Sequence, residues 1–184
     1  MRSTYFVIFA TLLLAVLIAT LLYHYFRSRR SADTEWESIL GRLTWIDRVV
    51  INTIALDVVT ESGDPRSEGD GYVLDRTVIW RLLGGLEGLE TVEHNCKIFV
   101  ELATYVQRWY PEALVVAEEL RLNAREIEWH VDRLKGAAKT GNLEGAFADY
   151  AQRAIATYYL MTRRLLVLYD QASFPRLSEL QRAI

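Results

Sequence analysis

From Ser3 to Phe26 the chain carries no Asp, Glu, Lys or Arg, and Arg27, Arg29 and Arg30 follow at once. A helix rises about 1.5 Å per residue, so an uncharged run of this length, rich in Leu, Ile, Val, Phe and Ala, exceeds the roughly 20 residues needed to cross about 30 Å of hydrocarbon. Tyr5 stands near one end of the run, and Tyr23 and Tyr25 near the other. Amphipathic rings favour the headgroup level, so the pattern predicts a spanning helix with Tyr5, Tyr23, Tyr25, Arg27, Arg29 and Arg30 at the membrane interfaces.

A cleavable signal peptide would have a shorter apolar core of about 7 to 15 residues and small residues at its cleavage site. Here Tyr23, His24, Tyr25 and Phe26 occupy the cleavage positions, and the positive cluster follows the run instead of preceding it. The expectation is an uncleaved signal anchor of a single-pass membrane protein. Only Arg2 and the α-amine precede the span, so the arginine cluster predicts an outside amino terminus and a cytoplasmic main domain.

Charge is distributed unevenly along the chain. Four of its 21 basic residues and none of its 24 acids lie in the first thirty positions, which leaves 17 bases against 24 acids, a net charge of −7, in the remainder. An acidic domain lacks the electrostatic footprint of a nucleic-acid binder, so no nucleic-acid partner is expected. The expected partners are the lipid bilayer and either another protein or a second copy of the chain. Cys96 is the single cysteine. It cannot form an intramolecular disulfide, and it reads as a small apolar core residue.

Beyond the anchor the periodicity is helical throughout, which predicts an all-α fold: the single transmembrane helix, then an antiparallel bundle of about four long helices. Thr34 and Glu37 have the spacing of a capping box. Trp36, Ile39, Leu43, Ile46, Val50, Ile54 and Val58 continue from them at helical intervals, so one helix is expected over 33–60. Gly63, Asp64, Pro65, Gly69, Asp70 and Gly71 mark a loop.

A second helix is expected over 72–109, with Gly84, Gly85 and Gly88 implying a kink, a break or a close backbone approach. At Pro111 a hairpin corner and a kinked continuous helix both fit the pattern, and compactness favours the corner. Helices over 112–139 and 143–171 follow, the last with Asn142 as cap and the stripe Phe147, Ala151, Ala154, Tyr158, Met161, Leu165 and Leu168 facing inward. The expected organisation is thus an anchor with basic collar over 1–30, a helical bundle over 31–175 and a tail over 176–184.

Candidate chemistry is sparse. Glu90 with His94, and Glu126 with His130, each share a helix face at E-x-x-x-H spacing. A hairpin corner would level His94 with Glu126 and Glu90 with His130, sketching a metal cluster. Di-iron bundles instead use Glu-x-x-His with every ligand inward, so no metal and no cofactor are expected. Phosphate-loop, hydrolase-elbow and paired-cysteine zinc motifs are missing too, so no catalytic residues are assigned.

Trp45, Trp80 and Trp129 fall off the apolar stripes, where tryptophan commonly marks partner contacts. The expected function is therefore a non-catalytic interaction or assembly module, an accessory or scaffold subunit of a membrane-associated complex. The alternative is a membrane-tethered bundle, sensor or enzyme, that binds a small ligand or metal near Glu90, Cys96, Glu126 and His130.

Overall fold

A computed structural model describes residues 14, 16, 18, 20, 35–60, 64 and 74–184, which fall in two compact units, Met1–Ser38 and Ile39–Ile184. In the first unit Leu14, Val16, Ile18 and Thr20 are helical, and Thr20 Oγ1 donates to the Val16 carbonyl at 2.8 Å. Apart from those four positions, the Ser3–Phe26 run lies outside the described residues. So do Tyr5, Tyr23, Tyr25, Arg27, Arg29, Arg30 and the Thr34 cap. Among the described residues no helix is long and apolar enough to cross a membrane.

The second unit is all helical among its described residues: α1 (Arg48–Val58), α2 (Arg76–Leu83), α3 (Leu86–Val106), α4 (Ala113–Lys139), α5 (Leu143–Gln171) and α6 (Leu177–Ala183). Two starts are set by aspartate. Asp47 accepts the Val49 N–H at 2.8 Å and Asp75 accepts the Thr77 N–H at 2.9 Å, so each satisfies a donor that the first helical turn leaves free.

Asp47 also explains a difference from the expected helix over 33–60. Residues 35–40 are helical, the chain turns at 41–42 and lacks regular structure over 43–47, and a new helix begins at Arg48. The apolar period runs through this break unchanged, because Ile46 and Val50 are only half-buried there while Ile51 and Ile54 enter the core.

The glycine cluster makes a full break. α2 ends at Gly84 and Gly85, both with positive φ, and the Gly85 N–H returns to the Trp80 carbonyl at 3.0 Å. A Cβ on Gly88 would stand 1.8 Å from the Leu83 carbonyl oxygen. The close backbone approach thus falls at Gly88, and the break just before it.

At Pro111 the chain turns a corner. α3 ends at Val106, α4 begins at Ala113, and their ion pairs run in opposite senses: Glu90 and Glu93 reach Lys135, while Lys97 reaches Glu128. An aromatic cluster closes this end of the bundle. Trp109 stacks on Phe174 with ring centres 5.6 Å apart, Tyr105 and Tyr169 meet Phe174 edge-on, and the Tyr169 hydroxyl donates to the Leu102 carbonyl at 3.0 Å.

α5 lies at the centre of the unit, in contact with every other helix. Phe147, Ala151, Ala154, Tyr158, Met161, Leu165 and Leu168 are all buried. Asn142 makes no side-chain cap. Its N–H instead returns to the Ala137 carbonyl at 2.9 Å, closing the end of α4. The tail is ordered as α6, which buries Leu180.

One carboxylate enters the core. Asp57 is buried, and its Oδ2 accepts from Gln152 Nε2 at 3.0 Å and from the Leu74 N–H at 3.3 Å. Those donors supply what burial removes from a charged group. They also hold the chain entering α2 against α1 and α5.

Gly88→Ala should lower the stability of the full chain by about 1 to 3 kcal/mol in chemical denaturation followed by tryptophan fluorescence, because overpacking outweighs the gain in helix propensity. Gly136→Ala, in a helix with no atom within 4 Å of the new methyl, should raise it by up to about 1 kcal/mol.

Candidate functional site

The non-helical segment before α1 is strapped to α3 by three side chains. Asn95 is buried, its Oδ1 accepts the Thr44 N–H at 3.0 Å, and its Nδ2 donates to the Thr44 carbonyl at 2.7 Å. One amide side chain therefore gives Thr44 the donor and acceptor that a neighbouring strand would supply. His94 Nε2 lies 3.2 Å from the Arg42 carbonyl, which assigns the proton to that nitrogen, and the Arg42 guanidinium pairs with Glu101.

Asn95 Nδ2 also lies 3.4 Å from the Tyr158 hydroxyl, which links the strap to α5. Burial pushes the Tyr158 phenol well above its ordinary range, so it stays neutral. Beside this link opens a cleft of about 180 Å³, walled by Thr44 and Ile46 of the strap, Arg48, Ile51 and Asn52 of α1, and Tyr158, Tyr159, Thr162, Arg163 and Leu166 of α5. Ala183 and Ile184 close one edge. The Arg163 guanidinium lies over the Tyr159 ring, 5.6 Å from its centre, with Nη1 3.4 Å from the hydroxyl. This cleft joins residues of the strap, α1, α5 and the last two positions of the chain, which lie far apart in sequence. The available signal was Asn95 itself, a polar residue set between the apolar positions Val92, Cys96 and Phe99.

A second feature is the outward face of α4. Val115, Leu122 and Trp129 recur every seven residues, on the side away from the buried Ala113, Ala117, Leu120 and Val131. They are 69%, 65% and 47% exposed, and neighbouring Leu114 is 53% exposed. Charges of both signs flank the row: Glu118 pairs with Arg121 along the helix, and Glu119 pairs with Arg164 of α5 at 3.0 Å.

The off-stripe tryptophans have different surroundings. Trp45, in the strap, is 75% exposed. Trp80 presents an edge to Phe147 at 4.4 Å and fills the space a Gly85 side chain would take. Trp129 meets His130 and Tyr150 edge-on, with the Arg133 guanidinium 5.1 Å from its ring centre. Trp109 is substantially exposed at the corner.

The four residues weighed as metal ligands do not converge. Glu90 pairs with Lys135 at 3.4 Å, His94 serves the strap, and Glu126 lies 3.6 Å from His130. The register sets Glu90 opposite Lys135 and Lys97 opposite Glu128, five residues beyond the His130 that a tight hairpin would level with Glu90. Among the described residues no three His, Cys, Asp or Glu side chains gather as a metal site. Cys96 is fully buried, and that burial pushes its thiol well above the ordinary range. A thiol held protonated is a poor nucleophile.

His130 is buried against Trp129 and Tyr150, and neither ring nitrogen has a hydrogen-bond partner. Burial lowers its pKa below the ordinary value; Glu126 opposes this shift, and Arg153 adds to it. The unfolded chain therefore takes up a proton near the ordinary value of about 6.5 while the folded chain resists it. Stability from this group is present above that value and lost as pH falls through it towards the lower folded pKa. The denaturation midpoint should drop between pH 7.5 and 5.5 in the wild type, and by less in His130→Phe.

Comparison with protein-family models, with curated proteins and with solved structures gave no match to this chain.

Proposed function

We propose that the chain is a single-pass membrane-anchored assembly module, non-catalytic, which joins a membrane-associated complex as an accessory or scaffold subunit. The observation that carries this reading is the outward row on α4, where Leu114, Val115, Leu122 and Trp129 are each about half exposed or more. Large apolar side chains repeating every seven residues suit the packing of another helix, and Val115 and Leu122 leave about two thirds of their surface uncovered by their own domain. Exposed Trp45 adds a second apolar contact point.

The anchor part of the reading rests on the uncharged Ser3–Phe26 run with its tyrosines and arginine collar. Helical Leu14, Val16 and Ile18, each about half exposed or more, accord with a surface that meets lipid. Orientation rests on Arg27, Arg29 and Arg30, which favour the cytoplasmic side for the bundle. A small-ligand-binding bundle is the second reading, and the cleft beside Asn95 is what favours it.

Native mass spectrometry of the full chain in lipid nanodiscs, alone and after co-purification from its own membranes, tests assembly. The wild type should appear as an oligomer or with a stoichiometric partner, and Leu122→Glu should abolish that species without lowering the denaturation midpoint. A lone wild-type monomer in both preparations would overturn the reading. For orientation, a membrane-impermeant thiol reagent should label Thr140→Cys only after lysis, with buried Cys96 silent in the folded chain. Labelling in intact cells would invert the topology.

A further inference from the structure

Thr44, Ile46 and Arg48 line the cleft, while the residues between and after them, Trp45, Asp47 and Val49, do not line it and are exposed. That alternation is the one extended backbone imposes, with successive side chains on opposite faces, and Asp47 has extended dihedral angles. Trp45 is 75% and Val49 71% exposed, the highest values among the described large apolar residues. We infer that this outer edge of the strap rests in the headgroup layer of the bilayer, with zwitterionic phospholipid as its partner. The inference depends on the membrane anchor proposed above, and it gives the contact point at Trp45 to lipid.

The edge is presented from held backbone. Asn95 bonds both the N–H and the carbonyl of Thr44, and the Asp47 carboxylate accepts the Val49 N–H at 2.8 Å. Little chain freedom is therefore lost when Trp45 and Val49 meet a surface. Indole favours the headgroup level, where its N–H stays hydrated while the ring meets acyl chain. Asp47, between the two, keeps the contact shallow, because a carboxylate resists entry into hydrocarbon but can face the ammonium groups of zwitterionic lipid. Val49 stands in the first turn of α1, which holds no acid although a carboxylate there would suit the helix dipole.

The tether makes a weak contact sufficient. Trp45 lies nineteen positions beyond Phe26, where the uncharged run ends. With residues 35–40 helical, that length of chain reaches at most about 55 Å. A tether of this reach gives an effective concentration on the order of millimolar, at which a two-residue contact too weak to recruit a free domain is occupied. The excess of acids beyond residue 30 opposes attraction to anionic lipid, so apolar contact carries the association.

Fluorescence of the full chain in phosphatidylcholine nanodiscs tests this, with acyl chains brominated near the carbonyl end as contact quenchers. The difference between wild type and Trp45→Phe isolates the Trp45 emission. That emission should fall by about half or more, and by less when bromine sits near the methyl end, as for a ring at headgroup level. The quenching should persist in about 0.5 M sodium chloride, which screens charge but not apolar contact. Val49→Glu should reduce it at least about twofold without lowering the denaturation midpoint, since the new carboxylate suits the first turn of α1. Leu122→Glu should retain it, which separates this contact from assembly through α4.

An unquenched Trp45 in wild type incorporated into discs would overturn the inference and leave the anchor standing. Shielding of Trp45 from acrylamide without quenching by bromine would identify a second chain as its cover, and would overturn it as well, as would quenching lost in salt or in Leu122→Glu. Release of the wild type from its own membranes by alkaline carbonate would instead remove the anchor, and the inference with it.

Discussion

Every other helix of the Ile39–Ile184 unit packs on α5, so the arrangement depends on how closely its neighbours can approach that one rod. Ala148, Ala151, Ala154 and Ala156 keep its amino-terminal half narrow, while Tyr158, Met161, Leu165 and Tyr169 fill wider gaps from its middle to its carboxy-terminal end. Alanine costs no side-chain entropy on burial and admits a facing helix at short range. The polar groups that enter the same interface are bonded across it. Gln152 answers Asp57 of α1, and Tyr169 answers the Leu102 carbonyl of α3. The strap and the cleft lie where α1 and α3 both reach α5.

Much of the bundle was legible in the sequence because helical periodicity reports burial directly. The α5 stripe was read residue by residue, and the glycine cluster announced a discontinuity. The break at 41–47 was not legible. Periodicity there is satisfied equally by a helix and by two helices joined through a short strap, and the deciding event is tertiary: Asn95 bonds to Thr44 across 51 positions of sequence. Such a competitor for backbone hydrogen bonds leaves no local mark beyond one polar residue on an apolar stripe.

The candidate sites divide in the same way. The outward row of α4 depends on one helix, so its seven-residue spacing is present in the sequence, although Val115 and Leu122 stand beside apolar neighbours that blur the contrast between the two faces. Trp45 and Trp129 stood out as off-stripe, but Trp80 looked the same and proves partly packed on Phe147. Off-stripe position separates exposed aromatic residues from core ones only when no short neighbouring helix covers them. The cleft draws on the strap, α1, α5 and the C-terminal edge, and no one-dimensional pattern brings those together. The pairing of Glu90, His94, Glu126 and His130 failed on register, which the packing of α3 on α4 decides.

The strap also has a mechanical consequence. It joins the helical residues 35–40, where Trp36 and Ile39 are buried, to α1, so a pull along the chain that frees those residues reaches the strap before it reaches α1. Arg42, with its guanidinium on Glu101 and its carbonyl on His94, meets that pull first, at points about two turns apart along α3, and Asn95 follows with two hydrogen bonds that must break together. Force is thus spread along the side of one long helix instead of peeling α1 from its end. The bonds of Arg42 yield first, and those that position Tyr158 and the mouth of the cleft follow.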